Sequence, residues 1–236
     1  SPTFFKESLL FSSDRPDGSK SIYGPSGKSY INIYESRIDL QGNVIDPQPF
    51  KGITDTKFHR ATPYYSKELG NIFYVLSNSD GENLEFSDNG KNALSIGMTN
   101  GQRSFKYVLR DPDTSFYYPF YEAATGRLFF AADFGDGYGG TDIYYVYTND
   151  GLIMSSPTNL GPRINTPGNE IAPFIFENNL YFSSDIFYGL GGMDIYKSTV
   201  HSDDSYSIPI NLGEGINSSK DDFGFIIKNN DTNGLL

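Results

Sequence analysis

Bulky apolar residues in this chain sit at consecutive positions in short runs, as in Leu128-Phe-Phe-Ala-Ala132, Ile143-Tyr-Tyr-Val-Tyr147 and Phe174-Ile-Phe176. A strand with one wet face alternates apolar and polar residues, and a helix repeats them at three to four positions. These runs do neither, so they predict short strands covered on both faces. Turn chemistry separates them. Glu177-Asn-Asn179 lies between the first two runs of one unit, and the longer Ala123-Ala-Thr-Gly126 and Ser66-Lys-Glu-Leu-Gly70 end in glycine, which takes positive φ without steric cost.

The runs recur in register. Leu180-Tyr-Phe-Ser-Ser-Asp185, Gly191-Gly-Met-Asp-Ile-Tyr196 and Asn211-Leu-Gly213 repeat, 52 residues earlier, as Leu128-Phe-Phe-Ala-Ala-Asp133, Gly139-Gly-Thr-Asp-Ile-Tyr144 and Asn159-Leu-Gly161. A period of this size means a propeller, a solenoid or an array. Anchoring on Pro2, Pro63, Pro119 and Pro173, with Gly224 as the fifth equivalent, gives steps of 61, 56, 54 and 51 residues. The repeats are approximately 2–62, 63–118, 119–172 and 173–223, with a partial 224–236. The second is the most divergent, with Leu94-Ser-Ile96 where others carry Asp-Ile-Tyr. Four strands per unit, covered on both faces, predict an all-β fold: a β-propeller of four-stranded blades. Four full repeats plus the start of a fifth predict five blades, with six or four as alternatives. The whole of 1–236 reads as one propeller domain, incomplete at its last blade, whose open strand edge expects further chain or a partner.

Aromatics make up 16% of the residues, and with 18 tyrosines and 19 phenylalanines they read as filling between blades, each buried large side chain contributing roughly 1.5–3 kcal/mol. The formal net charge of −11 argues against nucleic acid, which requires clustered lysine and arginine. No run of 18 apolar residues exists, so no direct membrane insertion is expected. Cysteine is absent, which excludes disulfides, thiolate metal sites and cysteine nucleophiles.

Candidate chemistry is sparse. Asp133, Asp136 and Asp142 sit in a glycine-rich loop where three carboxylates could meet on calcium, yet the equivalent loop from Asp185 to Asp194 lacks the middle one. Turn chemistry, with carboxylates accepting backbone N–H groups and glycines in left-handed conformations, is the favoured reading. Gly24-Pro-Ser-Gly-Lys-Ser29 lacks phosphate-loop spacing and leads into a strand rather than a helix. His59 and His201 lie in different repeats, and the pairs Ser12-Ser13 and Ser183-Ser184 fall inside strands. No carboxylate pair has a context that raises a pKa. Catalytic residues, metal and cofactor are therefore expected to be none. Asn217-Ser-Ser219 and Asn230-Asp-Thr232 match the glycosylation pattern. The irregular insertions 16–28 and 79–92 depart from the repeat and are the candidate contact surfaces.

Taken together, Leu-Tyr-Phe-Ser-Ser-Asp, Gly-x-Gly-Gly-x-Asp-Ile-Tyr, Asn-Leu-Gly-x-x-Ile-Asn-Thr/Ser and the closing Asp221-Asp-Phe-Gly-Phe225 resemble the TolB-type, WD-like propeller repeats of Bacteroidota OmpA-family outer-membrane proteins. One branch of that group belongs to the type IX secretion and gliding machinery. The resemblance implies a non-catalytic scaffold propeller facing the periplasm of a Gram-negative envelope. Its implied partners are other cell-envelope proteins, with peptidoglycan tethering through domains outside this chain. The alternatives are a gating propeller of a prolyl-oligopeptidase-like peptidase, which predicts a hydrolase domain, and a glycan-binding module.

Overall fold

A computed structural model describes residues 2–16, 22–39, 41–102 and 104–227. Blade one contains β1 (Thr3–Phe5), β2 (Ser8–Ser13), a side hairpin of β3 (Ile22–Tyr23) and β4 (Lys28–Ser29), then β5 (Asn32–Ile38) and β6 (Val44–Pro49). Blade two is β7 (Arg60–Ser66), β8 (Asn71–Ser77), β9 (Leu94–Thr99) and β10 (Phe105–Leu109). Blade three is β11 (Phe116–Glu122), β12 (Arg127–Ala132), β13 (Asp142–Asn149), β14 (Leu152–Ile153) and β15 (Thr158–Asn159), the last two both pairing with β13. Blade four is β16 (Glu170–Phe176), β17 (Asn179–Ser184), β18 (Asp194–Thr199) and β19 (Ile210–Asn211). Each blade is an antiparallel meander in sequence order, and the described residues contain no helix. The fold is an all-β propeller of four blades. Of the expected fifth blade, residues 223–227 form no strand, and 228–236 lie outside the described residues.

The blades share one register. Asn32, Leu94, Asp142 and Asp194 each open the third strand of their blade, opposite Ser13, Ser77, Ala132 and Ser184. The divergent second repeat therefore keeps the geometry while losing the polar side chain.

Stacking of the blades explains the aromatic content. Leu10, Ile33, Ile72 and Tyr74 fill the space between blades one and two. Phe73, Ile96, Phe116 and Phe130 fill the next, and Phe129, Ile143, Leu180 and Phe182 the third. Between blades four and one the packing is different: Phe225 lies against Tyr181 at 5.1 Å, and Ile226 and Ile227 line a 670 Å³ gap with Thr3, Phe4 and Phe174.

The innermost strands of blades two, three and four each carry a bulge, where Thr62-Pro63, Tyr118-Pro119 and Ala172-Pro173 oppose a single residue. The residue before each proline has positive φ, at 44°, 51° and 55°, a conformation that costs a non-glycine residue roughly 1–3 kcal/mol and persists only under dense packing. Gly224 has the same conformation at 75°. Phe225, not Gly224, thus stands in the proline register, one residue later than the sequence anchoring placed it.

Candidate functional site

The axis of the ring is closed. Pro2, Pro63, Pro119 and Pro173, with Phe120, Phe174 and Phe225, leave a space of about 20 Å³ there, roughly the room one water needs. No carboxylate occurs among the described residues that line it.

The three aspartates of the glycine-rich loop do not converge. Asp133 accepts the Ser115 N–H at 2.7 Å and pairs with Lys91. Asp136 is exposed. Asp142 is buried and closes the turn, accepting the Tyr138 N–H at 2.6 Å and the Asn159 amide at 2.8 Å. Among the described residues no group of three or more His, Cys, Asp or Glu is arranged to hold a metal ion. The glycine pairs of this motif are there for close approach, not for the left-handed conformation expected of them. A Cβ on Gly139 would collide with the Thr166 and Gly168 carbonyl oxygens, and one on Gly191 with the Lys220 carbonyl oxygen.

Other sequence candidates are structural. Asn217 is buried and bonded to both backbone groups of Ile195, so it is not a glycan acceptor; Asn230 lies outside the described residues. Ser184 Oγ bonds to the buried Glu170 at 2.6 Å, and Ser12 Oγ accepts the Thr62 N–H at 2.7 Å. Burial raises the Glu170 carboxyl above its ordinary range, while donation by Ser184 and Thr166 partly offsets this.

The open cavity of interest lies off the axis, on the face built by the loops after the second and fourth strands of each blade. It measures about 620 Å³ and is lined by Tyr30, Asn32, Asp55, Phe58, Arg60 and Glu82, with neighbouring backbone. Volumes of about 300–1,000 Å³ with a few polar groups are typical of ligand sites. Three devices build its walls. His59 Nδ1 accepts the Ile31 N–H at 3.0 Å, and its ring lies between Tyr23 (4.5 Å) and Tyr30 (4.7 Å). This clips the β3–β4 hairpin to the loop that joins blades one and two. Burial lowers the His59 pKa, in keeping with an unprotonated Nδ1. At the start of β7, Arg60, its side chain only 11% exposed, donates from its guanidinium to the Thr54 carbonyl of that joining loop at 2.8 Å and lies 3.9 Å from Asp55. Tyr74 hydroxyl bonds to Thr54 Oγ1 at 3.0 Å. In the loop between β8 and β9, Asp80 accepts the N–H groups of Glu82 (2.8 Å) and Asn83 (2.7 Å). Those bonds lower the Asp80 pKa and fix the turn that presents Glu82.

The sequence reading singled out none of Tyr30, Asp55, Arg60 and Glu82 as site residues. The only signal lay in the insertions: 79–92 contains Glu82, and 16–28 ends two residues before Tyr30. Asp55 and Arg60 become neighbours of Glu82 only when two blades pack.

No family model matches the chain, and no curated protein matches it. Several of its solved structural neighbours are glycosidases. The endo-arabinase of Bacteroides thetaiotaomicron aligns over 90% of this chain and 80% of its own, with a TM-score of 0.54 at 15% identity. An α-L-arabinofuranosidase from Lactobacillus brevis aligns over 91% and 74%, at 0.51 and 13%. An exo-β-1,3-galactanase from Clostridium thermocellum aligns over 92% and 48%, at 0.51 and 14%. At such identity the likeness establishes the propeller fold. Two expectations are corrected by these neighbours: that of no enzyme, drawn from the sparse catalytic chemistry of the sequence, and that of a non-catalytic scaffold, drawn also from the resemblance to TolB-type repeats; the neighbours named here are glycosidases, not TolB or OmpA relatives.

Proposed function

We propose that this chain is a carbohydrate-active propeller that binds a glycan in the cleft between blades one and two and acts on it as a glycosidase. The observation that carries the reading is the cleft itself: about 620 Å³, with the Tyr30 ring, the Arg60 guanidinium, and the carboxylates Asp55 and Glu82 on two different loops. Aromatic faces and planar charged groups suit the apolar ring faces and hydroxyl edges of a sugar. Glycoside hydrolysis needs one carboxyl to protonate the leaving oxygen and a second to activate water or attack the sugar. Asp55 and Glu82 are the pair this cleft offers, and the glycosidase neighbours support that choice of reaction.

The test is turnover of arabino- and galacto-oligosaccharides followed by released reducing ends. Asp55→Asn and Glu82→Gln are each expected to lower the rate by about 10²–10⁴, the usual contribution of an acid–base group. Unchanged turnover in both variants, or no binding to any glycan on an array, would refute the reading. The repeat strings shared with TolB-type propellers support placing the module in the periplasm-facing envelope of a Gram-negative bacterium, among other envelope proteins. Recovery from the cytosolic fraction alone would remove that placement.

A further inference from the structure

We infer that the ligand of this face is a linear, neutral glycan of several units, held along a groove, rather than a terminal sugar in a blind pocket. The inference rests on the glycan reading above and deepens it. Three cavities meet at the loop joining blades one and two. The 620 Å³ cleft shares Asn32, Asp55 and Arg60 with a 640 Å³ cavity that runs to Phe50 and Phe105. It shares Asp55, Thr56 and Gly81 with a 360 Å³ cavity that runs to Tyr107 and Arg110. Either larger cavity alone falls in the range of about 300–1,000 Å³ that encloses a drug-sized ligand, so the joined space exceeds what one sugar fills. Rings stand along its length, from Tyr30 through Phe105 to Tyr107, with Phe105 and Tyr107 packed edge to face at 4.9 Å.

Charge selects the class of glycan. The groove carries Asp55, Asp80, Glu82 and Glu85 against Lys51, Lys57, Arg60 and Arg110. Two of the cations are already engaged: Arg60 faces Asp55 at 3.9 Å, and Arg110 pairs with Glu85 while covering the Tyr107 ring at 4.3 Å. The balanced lining, in a chain of net charge −11, disfavours uronic-acid polymers and suits a ligand whose polar groups are hydroxyls.

The experiment is calorimetric binding of arabino- and galacto-oligosaccharides of one to six units, and of oligogalacturonides of the same lengths, to the whole chain. Affinity for the neutral series is expected to rise roughly tenfold or more from two units to six, each tenfold being about 1.4 kcal/mol. Arg110→Ala, at the far end of the groove, is expected to lower six-unit affinity severalfold and leave two-unit affinity unchanged, with its unfolding midpoint recorded to exclude misfolding. Binding of equal strength at every length would overturn the groove, and stronger binding of the acidic series would overturn the neutral class. Failure of every oligomer to bind would instead strike the glycan reading itself.

Discussion

Replacing Asn165 by alanine isolates the interaction that makes two of the repeated strings recur. Asn165 is buried in the segment leaving blade three. Its Oδ1 accepts the Ile143 N–H at 2.8 Å, and its amide donates to the Ile143 carbonyl at 2.9 Å and to Asn159 Oδ1 at 2.7 Å. Asn159 in turn donates to Asp142 at 2.8 Å. The same network recurs in blade four through Asn217, Asn211, Asp194 and Ile195. In the variant the Ile143 carbonyl keeps the Leu160 N–H at 3.1 Å, while the Ile143 N–H is left buried and unpaired. An orphaned group costs about 1–3 kcal/mol, and the other lost bonds add about 1, giving about 2–4 kcal/mol. At roughly 2–4 °C per kcal/mol for a chain of this size, the melting temperature falls by roughly 5–15 °C. Circular dichroism melts measure this, and Asn217→Ala should match it. Hydrogen exchange adds a local readout, since the Ile143 amide should lose protection in the first variant and the Ile195 amide in the second. Midpoints within about 2 °C of the parent in both variants, with protection intact, would show that the packed sheets alone hold the blades and that the asparagines are incidental.

Core and surface should respond very differently to truncation. Phe129→Ala, at a fully buried ring between blades three and four, is expected to cost about 3–5 kcal/mol by urea denaturation, while Tyr188→Ser, at a side chain 96% exposed, should stay within about 0.5 kcal/mol. Glu170 has a folded pKa raised above its unfolded 4.5, so its contribution to stability is full below that value and is lost as pH rises through the folded pKa. Glu170→Gln lacks this term, and the stability difference between parent and variant should therefore drift steadily across that window; a constant difference would contradict the burial argument. His59 titrates with the opposite sense, its folded pKa being lowered from 6.5. Stability from its clip is present above pH 6.5 and lost as pH falls through the folded pKa, whereas His59→Asn, which keeps an acceptor without titrating there, should not show that loss in urea midpoints.

The fold was legible because its cause is local and repeated. Consecutive bulk in Leu128 to Ala132 and Ile143 to Tyr147 demands cover on both faces, and in a repeated chain without helical spacing stacked blades supply it. Even Leu94, where the motif fails, sits in the shared register, because strand pairing depends on the backbone and on apolar bulk rather than on the missing aspartate. The glycine pairs were misread for a related reason: collision with the Thr166 and Lys220 carbonyl oxygens is a long-range fact that no local turn preference encodes. The cleft was illegible for the same reason. Asp55, Glu82 and Tyr30 belong to loops of two blades, and nothing in their spacing marks them as neighbours. Strings that recur report what holds every blade together, whereas chemistry has room to differ in the loops, where the repeat is broken.

The proline bulges reach further than their local geometry. Proline has no N–H to offer a passing strand, and the rings of Pro63, Pro119 and Pro173 with Phe225 plug the centre of the disc. Among the described residues the two sides of the molecule are thereby insulated from one another: whatever settles on the loop side meets a hub with room for about one water, and each inner strand lacks one donor on its edge.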